Sequence, residues 1–161
     1  ELRLFLIILA LVITLDQLSK LWVRVNLPPT GRIELLPGFL DLVHVRNTGA
    51  AFGLLSNHNE LFIALGIAGS IIILVFLHYF PPTTTAGILS FALILGGAVG
   101  NLIDRIHLGY VIDFISTRLF YWPAFNIADT ALTVGIPILI YYFYKSGVFR
   151  KTYDRNYRSQ K

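Results

Sequence analysis

Four long apolar stretches constrain this chain more than anything else in it: about Leu2 to Val25, Leu61 to Phe80, Gly87 to Ile106, and Ala124 to Tyr144. A helix that crosses the hydrocarbon layer of a bilayer needs about 20 mostly apolar residues, and each stretch meets that length. Composition agrees, because only 14% of the residues are charged and 55% are hydrophobic, whereas soluble domains carry about a quarter charged residues. The expected fold is therefore a mainly α integral membrane protein with four transmembrane helices, a single membrane-embedded domain over residues 1–161, and both termini on one side. The first stretch is longer than the apolar part of a secretory signal, lacks a small-residue cleavage pattern and carries Asp16, Gln17 and Lys20, so it is read as a retained helix. The absence of cysteine removes disulfides, thiol nucleophiles and thiolate metal sites from consideration.

Orientation follows from the distribution of Lys and Arg, which favour the cytoplasmic side. The segment after the last stretch is the most basic part of the chain, with Lys145, Arg150, Lys151, Arg155, Arg158 and Lys161. A basic cytoplasmic tail over 146–161 is expected, although Lys20 and Arg24 at the outer end of the first helix run against the pattern. This tail accounts for most of the net charge of +4, and attraction to anionic lipid explains it without nucleic acid.

Residues 26–59 are too polar to span. Leu40, Leu42 and Val45 interleave with Asp41, His44 and Arg46 at roughly period two after the Pro37-Gly38 turn, which predicts a short strand in a small extracytoplasmic β segment. An ordinary external hairpin and linker fits the same pattern. The following run from Gly49 to Leu55, small residues and then large apolar ones, is read as an element near the membrane interface and the substrate.

Polar side chains beside or inside the apolar stretches are the functional candidates, because a carboxylate in hydrocarbon costs about 2.5–3.5 kcal/mol or more unless it is paired or wet. Asp16 and Lys20 lie four apart on one helical face, where an ion pair lowers the cost of burying both. Gly96 to Gly100 forms a small-xxx-small spacing for close helix approach, and Asn101, Asp104 and Arg105 follow at offsets that place them on one face. Arg105 suits either an internal pair or donation to a substrate carbonyl. Asn126 is placed to cap the last helix, with Asp129 on the same side. Asp113 and Asp129 have no cation three or four residues away. If they meet across a small gap, repulsion and partial desolvation keep one of them protonated, and the pair can activate water and polarise a carbonyl. Zinc-binding His-Glu-x-x-His, a Gly-x-Ser-x-Gly elbow and a phosphate-binding loop are all missing. A proton-coupled transporter using carboxylates as a relay, or a non-catalytic lipid- or helix-binding scaffold, also fits a membrane protein with buried aspartates.

Five segments, Asp16 to Lys20, Asn47 to Phe52, Gly96 to Arg105, Val111 to Phe114 and Phe125 to Asp129, together resemble the bacterial lipoprotein signal peptidases, or signal peptidases II, in the same order over nearly the whole chain. The resemblance implies an aspartic endopeptidase of the bacterial cytoplasmic membrane that cleaves prolipoproteins before a diacylglyceryl-modified cysteine. By the family pattern Asp113 and Asp129 are catalytic. Asn47, Gly49, Asn101, Arg105 and Asn126 line or brace the site, and Asp16 and Lys20 support it. No metal, organic cofactor or obligatory protein partner is implied, and a cradle of strands on the outer membrane surface is.

Overall fold

A computed structural model describes residues 1–49, 55–118 and 122–147. Its elements run α1 (Leu2–Asn26), β1 (Arg32–Leu36), β2 (Leu40–Asn47), α2 (Asn59–Tyr79), α3 (Thr85–Leu108), β3 (Val111–Thr117) and α4 (Ile127–Ser146). The helices match the four apolar stretches to within a few residues, and all four are long and apolar enough to cross a membrane. Most of the expected element from Gly49 to Leu55, and the basic tail beyond Gly147, lie outside the described residues.

Local chemistry sets the helix ends. Thr84 caps α3 by accepting a hydrogen bond from Gly87 N, and α3 stops where Gly109 takes φ +82°, a left-handed conformation that glycine adopts at little cost. Asn126 caps α4. Pro28 and Pro29 follow closely on the end of α1, where they cannot continue a helix.

The bundle is built around α3, which packs against the other three helices. The glycine run makes this possible. A methyl group on Gly96 would lie 2.8 Å from Val12 of α1, and one on Gly97 would lie 2.5 Å from the Ala128 carbonyl of α4. Phe5, Phe91, Leu95 and Tyr142 form one core among the helices, while Val23 of α1 and Leu27 just beyond it pack on Ile112 and Phe114 of β3. Much of the remaining apolar surface faces outward, with α2 burying none of its residues fully, as lipid-facing helices do.

The strands form one antiparallel sheet in the order β1-β2-β3. The strand expected over Leu40 to Arg46 is present as β2, but its alternation breaks at an irregularity between Leu42 and Val45, with Asp41 and His44 buried and Val45 exposed, and the sheet is larger than the loop between the first two helices. Its third strand comes from the connection between α3 and α4. Both faces of that strand are buried, with Val111, Ile112, Asp113 and Phe114 all shielded, so no alternation of polar and apolar residues marks it in the sequence. At the far end of the sheet, fully buried Asp41 receives Arg118 Nε and Nη2 at 2.7 Å each and Arg32 Nε at 2.8 Å. The Arg118 hydrogen bonds, aided by Arg32, hold its carboxyl below the usual carboxylate range against the opposing effect of burial.

Candidate active site

The sheet-side end of the bundle gathers the polar residues that the apolar stretches carry. Asp129 enters through the first turn of α4. Asn126 Oδ1 accepts from Asp129 N at 2.8 Å, and Asp129 Oδ2 accepts from Asn126 N at 3.2 Å, a reciprocal cap that fixes both side chains. The other carboxylate oxygen, Oδ1, accepts from Asn101 Nδ2 of α3 at 2.8 Å. Asp113 arrives from β3, where strand alternation turns it away from the core residues Ile112 and Phe114. Its Oδ2 accepts from Asn47 Nδ2 of β2 at 2.9 Å and its Oδ1 from Asn126 Nδ2 at 2.8 Å.

Asn126 thus touches both aspartates, and Asn101 connects to each directly or through it, since Asn126 Nδ2 also lies 3.1 Å from Asn101 Oδ1. The two carboxylates line one cavity of about 440 Å³, shared with Asn47, Gly49, Asn101, Arg105 and a wall of Trp122, Pro123, Ala124 and Phe125. Among the described residues, no ion pair with Lys or Arg reaches either aspartate. Burial first, and then the neighbouring Asp129 charge, push the Asp113 carboxyl up to about 7, so near neutral pH this site holds a carboxyl able to give or take a proton.

A second set of charges lies directly behind. Lys20 Nζ is 2.8 Å from Asp16 Oδ2, 3.2 Å from Asp104 Oδ2 and 2.9 Å from Asn101 Oδ1. Asp16 Oδ1 accepts from Ala128 N at 2.9 Å, satisfying a donor left open in the first turn of α4. Gln17 Nε2 donates to Gly100 O at 3.0 Å and to Asp104 Oδ1 at 3.1 Å, and Asp104 Oδ2 accepts from Ile112 N at 3.0 Å. These bonds tie α1, α3, α4 and β3 into one frame.

The expectation of a shared face for Asn101, Asp104 and Arg105 holds only in part. Asn101 and Arg105 line the cavity, while Asp104 turns to α1 and β3, because the width of the helix separates neighbours that lie one hundred degrees apart. Arg105 Nη2 donates to Gly49 O at 2.8 Å and its guanidinium stacks 4.4 Å from the Phe62 ring. Its Nη1 is buried with no hydrogen-bond partner among the described residues. The sequence reading missed Phe62 and the 122–125 wall. A lone aromatic in an apolar helix carries no distinguishing signal, whereas a Trp-Pro pair just ahead of a helix cap is a visible boundary.

The family model described as signal peptidase (SPase) II matches residues 8–145. Lipoprotein signal peptidase from Moorella thermoacetica is 46% identical over 84% of this chain and 89% of its own length. That of Syntrophotalea carbinolica is 39% identical over 92% and 95%. A bacterial membrane enzyme solved by the in meso method at 2.3 Å resolution superposes with a TM-score of 0.84 at 32% identity, covering 89% of this chain and 88% of that one. The four spanning helices, the sheet across their end and these matches lead to one conclusion: the chain belongs to the signal peptidase II family, multi-pass membrane enzymes that remove signal peptides from lipoproteins.

Proposed function

We propose that the chain is an aspartic endopeptidase that cuts prolipoproteins just before a diacylglyceryl-modified cysteine, with Asp113 and Asp129 sharing a water and a proton. The observation that carries this reading is the convergence on one cavity of two carboxylates, each held by neutral amides and neither ion-paired to Lys or Arg among the described residues. Amide donors orient a carboxylate without neutralising it, so its basicity survives.

The substrate's signal helix enters from the bilayer and its lipidated cysteine stays at the interface, which brings the preceding carbonyl to the depth of the dyad. The ionised aspartate takes a proton from the water as its oxygen attacks the carbonyl carbon, and the protonated aspartate donates to the carbonyl oxygen. The proton gained by the first carboxylate then passes to the departing amine as the C–N bond breaks, and a hydroxyl of the collapsing diol returns its proton to the second aspartate, leaving a carboxylic acid product, the lipidated cysteine with a free amine, and the dyad in its starting state. Arg105 Nη1 and the asparagines hold the peptide in register, and such positioning supplies several kcal/mol of the rate enhancement. The enzyme works as one membrane-embedded unit in the bacterial cytoplasmic membrane. Its termini are cytoplasmic, as the basic tail favours, and the sheet and site lie at the outer leaflet.

The test is a purified-enzyme assay with peptides that differ only in the diacylglyceryl group. Cleavage before the modified cysteine, weak cleavage of the unmodified peptide, and full activity in EDTA are expected. Equal turnover of both peptides overturns the substrate assignment, and loss in EDTA that zinc restores overturns the aspartic mechanism.

A further inference from the structure

A second groove, about 350 Å³, opens between α1 and α3 at the same end of the bundle, and none of the proposed chemistry uses it. Its floor is Lys20 and Asp104, with Gln17 alongside and Asp16 paired to Lys20 behind them, completing a buried trio of charges. Lys20 is engaged by both carboxylates, and Asp104 has each oxygen occupied, Oδ1 by Gln17 and Oδ2 by Lys20 and Ile112 N. The rim is different. Arg24, one turn beyond Lys20, is exposed, lines the groove and has no hydrogen-bond or ion-pair partner among the described residues. Below it Leu18 and Leu21 are 58% and 47% exposed, with their side chains on the same groove. An unpartnered guanidinium above exposed leucines, at the level where the spanning helix gives way to the sheet, matches the order of a phospholipid: phosphate outside, hydrocarbon inside.

We propose that this groove holds an anionic phospholipid, its headgroup phosphate on Arg24 and an acyl chain along Leu18 and Leu21. The trio beneath carries one surplus negative charge, so the phosphate seats at the rim beside Arg24 and not against Lys20. At the rim Arg24 is the local unpaired charge, so an anionic headgroup, which brings no cation of its own, fits it better than a zwitterionic one, and the leucines choose a lipid over a free phosphate, which has nothing to place there. The site also gives a role to Arg24, a basic residue at an end of the first helix where the distribution of Lys and Arg argues against one. A lipid wedged there bears on α1 and α3 above Lys20, which contacts Asn101 of the cavity at 2.9 Å.

The full chain is reconstituted in phosphatidylcholine nanodiscs with and without phosphatidylglycerol, and lipid retained by the extracted protein is measured by native mass spectrometry alongside peptide cleavage. Wild type is expected to retain phosphatidylglycerol preferentially. Arg24→Gln should weaken that preference about fivefold, the worth of one basic side chain against an anionic surface, while cleavage in pure phosphatidylcholine stays at the wild-type level. Arg24→Lys should keep the preference. Equal retention of both lipids by wild type overturns the proposal, as does a preference that Arg24→Gln leaves unchanged. Competition by soluble glycerol phosphate as effective as by the lipid also overturns it, in favour of a free-anion site. Should Arg24→Gln fail to fold, the wild-type lipid comparison and the glycerol phosphate competition decide alone.

Discussion

Two pairs of aspartates lie at the same end of this bundle, with Asn101 joining Lys20 of one set to Asp129 of the other, yet they occupy opposite environments. Asp16 and Asp104 clasp Lys20, and each also accepts a backbone N–H, from Ala128 and from Ile112. Asp113 and Asp129 are bound by asparagine amides and face a cavity. A cation beside a buried carboxylate stabilises its charge and removes its basicity. An amide orients it and leaves the proton free to move. Residue type is the same in both pairs, and the partner separates framework from chemistry.

The largest effect that tests this contrast comes from the cavity pair. Asp113→Asn or Asp129→Asn should each lower cleavage of a diacylglyceryl peptide by roughly 10²–10⁴-fold or more with thermal melting nearly unchanged. Near-normal turnover in either variant would move the dyad elsewhere.

The framework pair should respond in the reverse way. Lys20→Met leaves two buried carboxylates without their cation and should lower unfolding stability in micelles by about 3–5 kcal/mol, part of which Asp16→Asn in the same chain restores. A stable Lys20→Met protein would erase the distinction between the pairs. Gly100→Ala sharpens it further, since the added methyl would lie 2.7 Å from Asp16 Oδ2 and 3.3 Å from Ala128 Cβ. Such crowding costs about 1–3 kcal/mol, measurable as an earlier denaturant midpoint.

The smallest effect near neutrality is the pH dependence. With the Asp113 carboxyl held near 7, the single shared proton is lost as pH rises through that value. Cleavage should therefore fall on the alkaline side, to about half near the midpoint. An alkaline limb that begins only well above pH 9 would mean that the proton resides elsewhere.

Much of this arrangement was readable in the chain. Asn126 was marked as a cap by its place before an apolar run, Gly96 to Gly100 as a contact strip, and Asp16 with Lys20 as an ion pair. Each signal is local, with spacings of three or four along one helix. The partners of Asp104 were not readable, because Gln17 stands 87 positions away and its match depends on how α1 and α3 are rotated against each other. Nor was the strand that carries Asp113, since burial on both faces erases the alternation that marks a half-buried strand.

Sequence alone determined that four segments cross a bilayer and that acidic side chains remain beside them, because transfer of a residue from water to hydrocarbon depends mainly on the residue itself and adds along the segment. Tertiary structure decided which acids meet Lys20, which meet amides, and which strand delivers Asp113 to the cavity. Those outcomes depend on distances of about 3 Å between groups far apart in the chain, and such distances are set by how glycine lets the helices approach.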